Sequence, residues 1–251
     1  MKLVLLISCV LASVLAEEAP EYIQLSPEET EIARRALQNP DLYDGDMAGI
    51  NPKDPGERSA IVGNNFRWPG GVVPYVIDRS LGNAANLIQQ GIADYHRNTC
   101  LKFKQRTNEN NFIRIFAGQG CYSHIGRTGG AQPLSLGQGC LYVGTVIHEF
   151  GHAIGFYHEQ SRSDRDQYLM IYLNNVHQSM RGQFFKLSPN QNILYNAFDY
   201  NSIMIYGNKS FSSNGQDTMR AKNGQKLLDP FNKRGMTRAD IERVRKMYNC
   251  R

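Results

Sequence analysis

The stretch His148-Glu149-Phe150-Gly151-His152-Ala153-Ile154-Gly155-Phe156-Tyr157-His158-Glu159 decides how the rest of this sequence is interpreted. His148 and His152 are four residues apart, so a helix places both imidazoles on one face, one turn from each other. His158 cannot share that face if the helix simply continues. Because glycine tolerates the left-handed backbone that ends a helix, Gly155 lets the chain turn and bring His158 back to the same point.

Three neutral imidazoles around one ion, with a position left for water, form the ligand set of a catalytic zinc site. Glu149 follows the first histidine and can reach such a water, so it is the candidate general base that later protonates the leaving amine. A short His-Glu-x-x-His pattern occurs by chance in unrelated helices, but Gly155, His158 and Glu159 add three further constraints. The long pattern is that of the metzincin metalloproteases and predicts one zinc ion per chain.

A second segment, Tyr200–Gly207, contains Ser-x-Met-x-Tyr-Gly and resembles the Met-turn of the astacin family. The Glu159 that follows the last histidine also makes the chain resemble an astacin more closely than other metzincins. The resemblance covers 41–250. It implies that Met204 forms an apolar floor under the zinc, and that Tyr206 is a fifth, displaceable ligand whose hydroxyl moves to the transition-state oxyanion. Ile205 stands where a common family form has His, a neutral or modest change next to the site.

The first residues are typical of a secretory signal. Lys2 precedes the apolar run Leu3–Leu15, and small residues stand near a plausible cut after Ala16. The run is too short to span a bilayer comfortably, and no second apolar segment approaches membrane length. A lipoprotein cleavage box ending at Cys9 is a competing interpretation, but it would leave few apolar residues before the cut. We therefore expect 1–16 to be a signal peptide and the protein to be secreted, with no membrane span.

Charge is divided unevenly along the chain. Residues 1–58 carry 5 Lys+Arg and 11 Asp+Glu, whereas 59–251 carry 23 and 12. An acidic segment in front of a basic domain favours a propeptide at 17–58 bound to an enzyme at 59–251. The basic residues are dispersed and no nucleic-acid motif surrounds them, so we expect no nucleic acid partner.

The family resemblance extends into this acidic segment. Tyr43-Asp44-Gly45-Asp46 resembles the propeptide element in which an aspartate ligates zinc in place of water, so Asp46 is the candidate latency switch. The alternative is a surface turn, since Asp-Gly is a strong turn signal. An activating protease is expected to cut near Arg58, and the family implies that the new N-terminus at Ser59 or Ala60 pairs with Glu159. An ammonium group beside a buried carboxylate makes physical sense, because each alone would be costly to bury.

Four cysteines remain after the signal, namely Cys100, Cys121, Cys140 and Cys250. An even number in a secreted chain predicts two disulfides, and the spacing alone leaves three pairings open. Zinc ligation by thiolates is disfavoured because no Cys-x-x-Cys spacing exists. The family pattern implies the pairs Cys100–Cys250 and Cys121–Cys140.

Periodicity predicts a small set of regular elements. Helices are expected from Ser26 to about Leu37 with a capping box at Glu29, over 84–98, from about 144 through the histidine motif, and over 237–248, capped by Thr237 with Asp240 three residues on. Strands are expected at 72–77, 101–105 and 112–116. The resemblance implies an α+β, zincin-like fold. It has a twisted, mostly parallel sheet and two long helices in the first half, and an irregular second half with one terminal helix.

The substrate pocket and the biological role are less readable. Resemblance places Pro230 and Met236 near the pocket for the residue after the scissile bond, and Lys233 and Arg234 could either favour acidic side chains there or form a solvated loop. Asn208-Lys209-Ser210 is a glycosylation sequon.

The complete pattern predicts a secreted zinc endopeptidase made as a zymogen, acting on proteins or peptides as a monomer. A catalytically silent binding protein or toxin with the same fold is the alternative, although such proteins usually lose a ligand or the base. The chain ends at Arg251 without a further module, which favours a digestive, hatching or venom enzyme.

Overall fold

The computed structural model describes residues 22–50, here called the N-terminal segment, and 64–251, here called the main body. The predicted signal peptide, Cys9, the cleavage region at Arg58 and the new N-terminus at Ser59 or Ala60 lie outside the described residues. The regular elements are, in chain order, α1 (Pro27–Ala36), β1 (Met47–Ala48), β2 (Val72–Ile77), α2 (Ala85–Asn98), β3 (Lys102–Gln105), β4 (Phe112–Phe116), β5 (Cys121–His124), β6 (Ala131–Leu136), α3 (Val143–Ala153), β7 (Leu169–Ile171), β8 (Met219–Ala221) and α4 (Arg238–Met247).

A six-stranded sheet of order β1-β5-β6-β4-β2-β3 forms the first half. The pairs β2–β3, β2–β4, β4–β6 and β1–β5 are parallel, and only β5–β6 is antiparallel. Parallel sheets need cover on their faces, and the alternation of buried residues in β4, at Ile113 and Ile115, points into the core. The expected α+β class with a mostly parallel sheet is confirmed.

The two long helices α2 and α3 pack against each other and the sheet. Gly91 of α2 lies against Val146 of α3, where a Cβ atom would meet a Val146 methyl group at 2.6 Å. Tyr95 donates a hydrogen bond of 2.7 Å to the Ile147 carbonyl, and its ring meets Phe150 edge-on. This packing fixes the position of α3, and therefore of the histidines that it carries, relative to the core.

Both predicted capping boxes are confirmed. Ser26 accepts a hydrogen bond from the Glu29 amide at 3.2 Å, and the Glu29 carboxylate accepts one from the Ser26 amide at 2.9 Å. Thr237 and Asp240 make the same reciprocal pair at 3.0 Å each and begin α4. Each box satisfies amide groups that have no partner within the helix.

The second half of the main body is built mainly from short 3-10 turns. Besides α4 it contains the antiparallel pair β7–β8, which hydropathy did not predict because each strand has only three residues. The disulfide Cys100–Cys250 ties the chain's last turn to the end of α2, and Cys121–Cys140 joins the start of β5 to the loop before α3. None of the helices in the described ranges is long and apolar enough to cross a membrane.

Candidate active site

The first two histidines of the motif lie on one buried face of α3. His148 and His152 are fully buried, and their Nε2 atoms are 3.1 Å apart. Ile147, Phe150 and the rest of the apolar helix surface bury α3 in the core, so the polar imidazoles are turned toward the cleft between the two halves. The spacing of four residues has the geometric consequence that the sequence predicts.

The third histidine returns to the same point after a turn at Gly155. The φ of Gly155, +119°, lies in the region that glycine adopts readily, and the Gly155 amide donates to the His152 carbonyl at 2.8 Å. The Nε2 atom of His158 then lies 3.2 Å from that of His152 and 3.3 Å from that of His148. The structure therefore brings all three predicted ligands together.

Backbone carbonyls of the main body orient two of these rings. The Nδ1 atom of His148 lies 2.8 Å from the Ile203 carbonyl, and that of His152 lies 2.7 Å from the Phe156 carbonyl. A carbonyl accepts only, so each Nδ1 carries the proton and each Nε2 keeps its lone pair for a metal. Burial lowers the pKa of His148 to about 4, more than its carboxylate neighbour Asp46 raises it, so this ring is neutral at physiological pH.

A carboxylate of the N-terminal segment completes the group. Asp46 is fully buried, with Oδ2 at 3.0 Å from Nε2 of His148 and Oδ1 at 3.3 Å from Nε2 of His152. Burial would raise the pKa of Asp46, but His158 and His152 outweigh it and hold that pKa well below its ordinary value. The surface turn considered as an alternative for this segment is wrong, because Asp44 and Asp46 are both completely buried.

These four donors fit a zinc ion. Asp46, His148, His152 and His158 offer atoms that all lie within 4.8 Å of one another. Tetrahedral ligands at the usual zinc distances are separated from one another by about 3.3 Å, close to the separations of 3.0–3.3 Å among the nearest donors here. The Oδ1 atom of Asp46 is buried with no hydrogen-bond partner among the described residues, as expected for an atom that faces a cation.

A second carboxylate, Asp44, lies on the far side of His158. Its Oδ2 atom accepts a hydrogen bond from the Ser161 hydroxyl and is 3.4 Å from Nδ1 of His158. Burial lowers the pKa of His158, but Asp46, followed by Asp44, outweighs this and raises it to about 9. The opposite pKa shifts at His148 and His158 have different causes: burial dominates at His148, whereas the carboxylates of the N-terminal segment dominate at His158.

The predicted general base, Glu149, is completely buried. Both of its carboxylate oxygens are buried, and neither has a hydrogen-bond partner among the residues that the structure describes. Burial, followed by the nearby Asp46 carboxylate, raises the pKa of Glu149 well above its ordinary value. A carboxyl group beside the metal donors that bonds to no side chain is available for a water molecule and its proton.

Tyr206 and Met204 of the predicted Met-turn both reach the site. The Tyr206 hydroxyl donates to the Asp46 carboxylate, and its ring centroid is 4.4 Å from that of His158. The same hydroxyl lies 3.0 Å from the Leu37 carbonyl of the N-terminal segment. Met204 packs under α3 at Gly151, where a Cβ atom would overlap the methionine sulfur. Gly151, between the two helical histidines, thus leaves room for the close approach of Met204.

Two buried charges hold the Met-turn from opposite sides. Asp240 accepts from the Ser202 hydroxyl at 2.6 Å and the Ile203 amide at 2.8 Å. The Lys233 ammonium donates to the Ser202 and Ile205 carbonyls at 2.7 and 2.8 Å. Both interpretations of Lys233, as a substrate contact and as a solvated loop residue, are therefore wrong. Arg234, its neighbour, is exposed.

Glu159 lies behind the site in a network of cations. Arg243 contacts both carboxylate oxygens at 2.7 Å, and Arg162 contacts one at 3.1 Å. Burial raises the pKa of Glu159 to about 7, against the lowering effect of these cations. A cavity of about 80 Å³ lies beside this carboxylate, and the side-chain amide of Asn192, which also lines it, has no hydrogen-bond partner among the described residues.

The N-terminal segment fills the cleft in front of the metal donors. Besides the close approach of the Leu37 carbonyl to the Tyr206 hydroxyl, the Gln38 side chain accepts a hydrogen bond from the Phe211 amide at 2.9 Å. On the opposite wall, β1 pairs with the edge strand β5, with Met47 opposite Ser123. The segment thus contacts both halves of the main body and covers the group of histidines between them.

The remaining predicted residues lie farther away. Pro230 is buried near the start of α3, and Met236 lines the cavity beside Glu159. Their place near a substrate pocket stays a prediction. Asn208 is half-buried and its side-chain amide bonds to the Met219 carbonyl and the Leu227 amide. Glycosylation at Asn208 stays a prediction.

Sequence reasoning missed several residues that the structure places around the site. They are Asp44, Ser161, Arg162, Asp229, Asp240 and Arg243. Asp44 stands in the quoted Tyr43-Asp44-Gly45-Asp46 element, which gave it no role of its own. The capping box of Asp240 marked a helix start without indicating that the same carboxylate also holds Ser202. The other partners are far apart in the chain and meet only in three dimensions.

Comparison with known proteins gives a consistent group of relatives. A family model described as Astacin (Peptidase family M12A) matches residues 60–249. Zinc metalloproteinase nas-6 of Caenorhabditis elegans is 33% identical over 233 residues, 90% of this chain and 68% of that protein. Astacin-like metalloprotease toxin 1 of Loxosceles intermedia is 38% identical over 217 residues, 83% of this chain and 81% of the toxin. The solved structure of high choriolytic enzyme 1, a hatching enzyme zinc-protease from Oryzias latipes, has a TM-score of 0.66 and 39% identity, covering 75% of this chain and 93% of its own.

Proposed function

Because the chain belongs to the astacin family of zinc metalloproteases, we propose that it is a secreted endopeptidase made as an inactive precursor. The observation that supports catalysis most directly is the arrangement of His148, His152, His158 and Glu149. Three imidazoles converge on one point, and the adjacent carboxyl group has no partner among the described residues. A silent binding protein would have no use for an unpartnered, buried Glu149.

His148, His152 and His158 would hold zinc, which supplies a Lewis acid that polarises the scissile carbonyl and lowers the pKa of a water to about 7. Glu149 takes a proton from the attacking water and passes it to the leaving amine. The Tyr206 hydroxyl, released from Asp46, donates a hydrogen bond to the oxyanion of the tetrahedral intermediate. Met204 supports the histidines from below by filling the space at Gly151.

Latency follows from the position of the N-terminal segment, which we take as part of a propeptide at 17–58. The Asp46 carboxylate is the fourth donor beside the three imidazoles, in the place that the attacking water would take, and the segment around it fills the cleft. Substrate and Asp46 therefore compete for one place. Removal of this segment by an activating protease that cuts near Arg58 would free both the cleft and the Tyr206 hydroxyl.

Activation would also create a new N-terminus at Ser59 or Ala60 that enters the main body beside Glu159. Two observations support this proposal: the cavity at that carboxylate, and the Asn192 side-chain amide, for which the described residues supply no hydrogen-bond partner. The Arg243 and Arg162 contacts mean that an incoming ammonium would join an existing network of charges instead of meeting an isolated carboxylate. The signal peptide predicted at 1–16 and the two disulfides support secretion.

The test is proteolysis before and after activation. The purified precursor and the trypsin-treated protein are incubated with casein and with denatured collagen, each with and without a chelator. We expect cleavage only after treatment, and its loss with chelator followed by recovery with zinc. N-terminal sequencing of the treated protein identifies the bond that was cut. A treated protein with a new N-terminus near Ser59 that binds zinc but cleaves neither substrate would favour the silent binding protein.

A further inference from the structure

A groove of about 820 Å³ runs between the start of the N-terminal segment and the second half of the main body. Residues 22–34 form one wall, and residues 208–232 form the other. Ile23 is held there by two hydrogen bonds to Asn232, of 2.7 and 2.9 Å. The N-terminal segment lies here as an extended chain followed by a helix, so an enzyme without this segment has an open groove beside the active site.

One carboxylate at the base of this groove faces the N-terminal segment. The Oδ1 atom of Asp229 accepts hydrogen bonds from the Gly207 amide at 2.8 Å and the Ser210 hydroxyl at 3.0 Å. Its Oδ2 atom lies 3.7 Å from Nε of Arg34. That Nε atom is itself buried and has no hydrogen-bond partner among the described residues. The main body thus supplies the carboxylate, and the N-terminal segment supplies its counter-ion.

The position of this pair connects it to the catalytic site. Asp229 accepts a hydrogen bond from the amide of Gly207, the residue that follows Tyr206 in the chain. Because the Tyr206 hydroxyl is bonded to Asp46, this bond places Asp229 next to the active-site tyrosine. A peptide that lies alongside Tyr206 would pass over Asp229 as α1 does. When the N-terminal segment leaves, Oδ2 of Asp229 loses the Arg34 guanidinium and faces the groove.

Other charges near the groove differ from Asp229 in exposure. Lys209, Arg220 and Lys226 are exposed, and Arg220 is paired with Asp217 at 2.6 Å. Lys233 is buried close to this region, but its ammonium donates to two backbone carbonyls of the Met-turn. The cations of the rim are therefore solvated, whereas the carboxylate at the base is shielded and interacts more strongly with a charge placed beside it.

We propose that Asp229 is a specificity-determining residue that selects an arginine or lysine side chain of the substrate, in the place that Arg34 occupies in the precursor. This inference rests on the proposed endopeptidase function and specifies its substrate class. A guanidinium group suits the site best, because its fork of donors matches a carboxylate and its stem can lie along the apolar part of the groove. Arg34 would then act as a substrate-like occupant that strengthens latency.

The test uses the activated enzyme and a peptide library in which each position around the cleaved bond carries arginine, lysine, norleucine or glutamate. We expect one position at which arginine gives a kcat/KM about tenfold or more above norleucine, as a charge-assisted hydrogen bond in a shielded site would produce. The readout is the ratio of kcat/KM for the arginine peptide to kcat/KM for the norleucine peptide, both measured with the same enzyme. This ratio does not depend on a change in overall rate.

In the Asp229→Asn variant this ratio should fall to near one, whereas the Asp217→Asn control, which changes a half-buried carboxylate of the same groove that pairs with Arg220, should keep the wild-type ratio. An unchanged ratio in Asp229→Asn, or no basic preference at any position, would overturn the proposal. If the activated wild type cleaves no peptide at all, the endopeptidase function itself fails and the subsite fails with it.

A second measurement covers the case in which Asp229→Asn does not fold. Arg34→Met in the uncleaved precursor should raise its residual peptidase activity several-fold. The matched control is Arg35→Met, since the Arg35 side chain is 80% exposed and pairs with Glu31 on the same helix, as Arg34 also does, but is not paired with Asp229. Equal activity in the two variants would contradict a role for Arg34 at Asp229.

Discussion

The histidines of the main body and the carboxylates of the N-terminal segment meet at one point, but different contacts hold them in place. The Nδ1 atoms of His148 and His152 bond to carbonyls of the main body, so these rings keep their orientation when the N-terminal segment departs. Asp46 and Asp44 are held by the groups that they block, namely the histidines, Tyr206 and Ser161. The catalytic histidines are therefore preorganised by the main body, whereas the inhibitory carboxylates depend on the catalytic residues for their position.

Removal of a histidine should have the largest effect on activity, because the histidines are the preorganised metal donors of the main body. His152→Ala deletes one metal donor and should reduce bound zinc well below one per chain. The peptidase activity of the trypsin-treated protein should fall by at least about 1000-fold, because the metal contributes several kcal/mol to transition-state stabilisation. Zinc is measured by elemental analysis and activity with casein. The control His177→Ala changes an exposed histidine, and equal zinc loss in both variants would contradict the assignment.

Removal of the inhibitory carboxylate should act only on the uncleaved precursor. Asp46→Ala deletes the group that competes with substrate, and we expect the precursor's peptidase activity to rise by about 10- to 100-fold, as the loss of a charge-assisted interaction would produce. Asp44→Asn should cause a smaller rise, because Asp44 contacts Ser161 and only the outer nitrogen of His158.

The two carboxylate variants need a common reference. After trypsin treatment both should match the treated wild type, because the N-terminal segment is then absent. A precursor with Asp46→Ala that stays as silent as the wild type would contradict the competition between Asp46 and substrate.

Sequence reasoning succeeded where neighbours in the chain determine structure. The spacing of His148 and His152, the turn at Gly155 and the capping residues at Ser26 and Thr237 are all local signals, and each corresponds to the predicted geometry. The class of the fold followed from a family resemblance and not from local periodicity.

Contacts between distant residues could not be predicted in this way. The bond between Asp44 and Ser161 joins residues 117 positions apart, and the ion pair of Glu159 with Arg243 joins residues 84 apart. Lys233 shows the same limit, since a lysine next to an arginine is typical of a surface loop, yet its ammonium is buried against the Met-turn. Nothing local in the sequence reports which backbone carbonyls will surround a side chain.

A backbone change within the N-terminal segment offers a more moderate test. Gly45 has a φ of +91°, and a Cβ atom there would lie 2.6 Å from the Leu37 carbonyl. Gly45→Ala should strain the turn that delivers Asp46 by about 1–3 kcal/mol and raise precursor activity several-fold, with a normal enzyme after trypsin treatment. Unchanged precursor activity would show that this turn is not needed for inhibition. Ala48→Gly, two residues beyond Asp46 in the same segment, serves as a control for added flexibility.

The two capping boxes should give the smallest effects. Ser26→Ala and Thr237→Ala each remove a helix cap, which costs about 1 kcal/mol. Ser26→Ala should lower the Tm of the precursor alone, whereas Thr237→Ala should lower the Tm of both the precursor and the treated enzyme. A lower Tm for treated Ser26→Ala would show that α1 remains bound after cleavage.

The most direct test of the central claim, that Glu149 is the base of a zinc peptidase, is the kcat/KM of trypsin-treated Glu149→Gln measured together with its zinc content. The substitution keeps the shape of the side chain but removes its ability to accept a proton. We expect one zinc per chain and a kcat/KM lowered by at least about 100-fold. A variant that binds zinc and cleaves casein at near the wild-type rate would contradict the account.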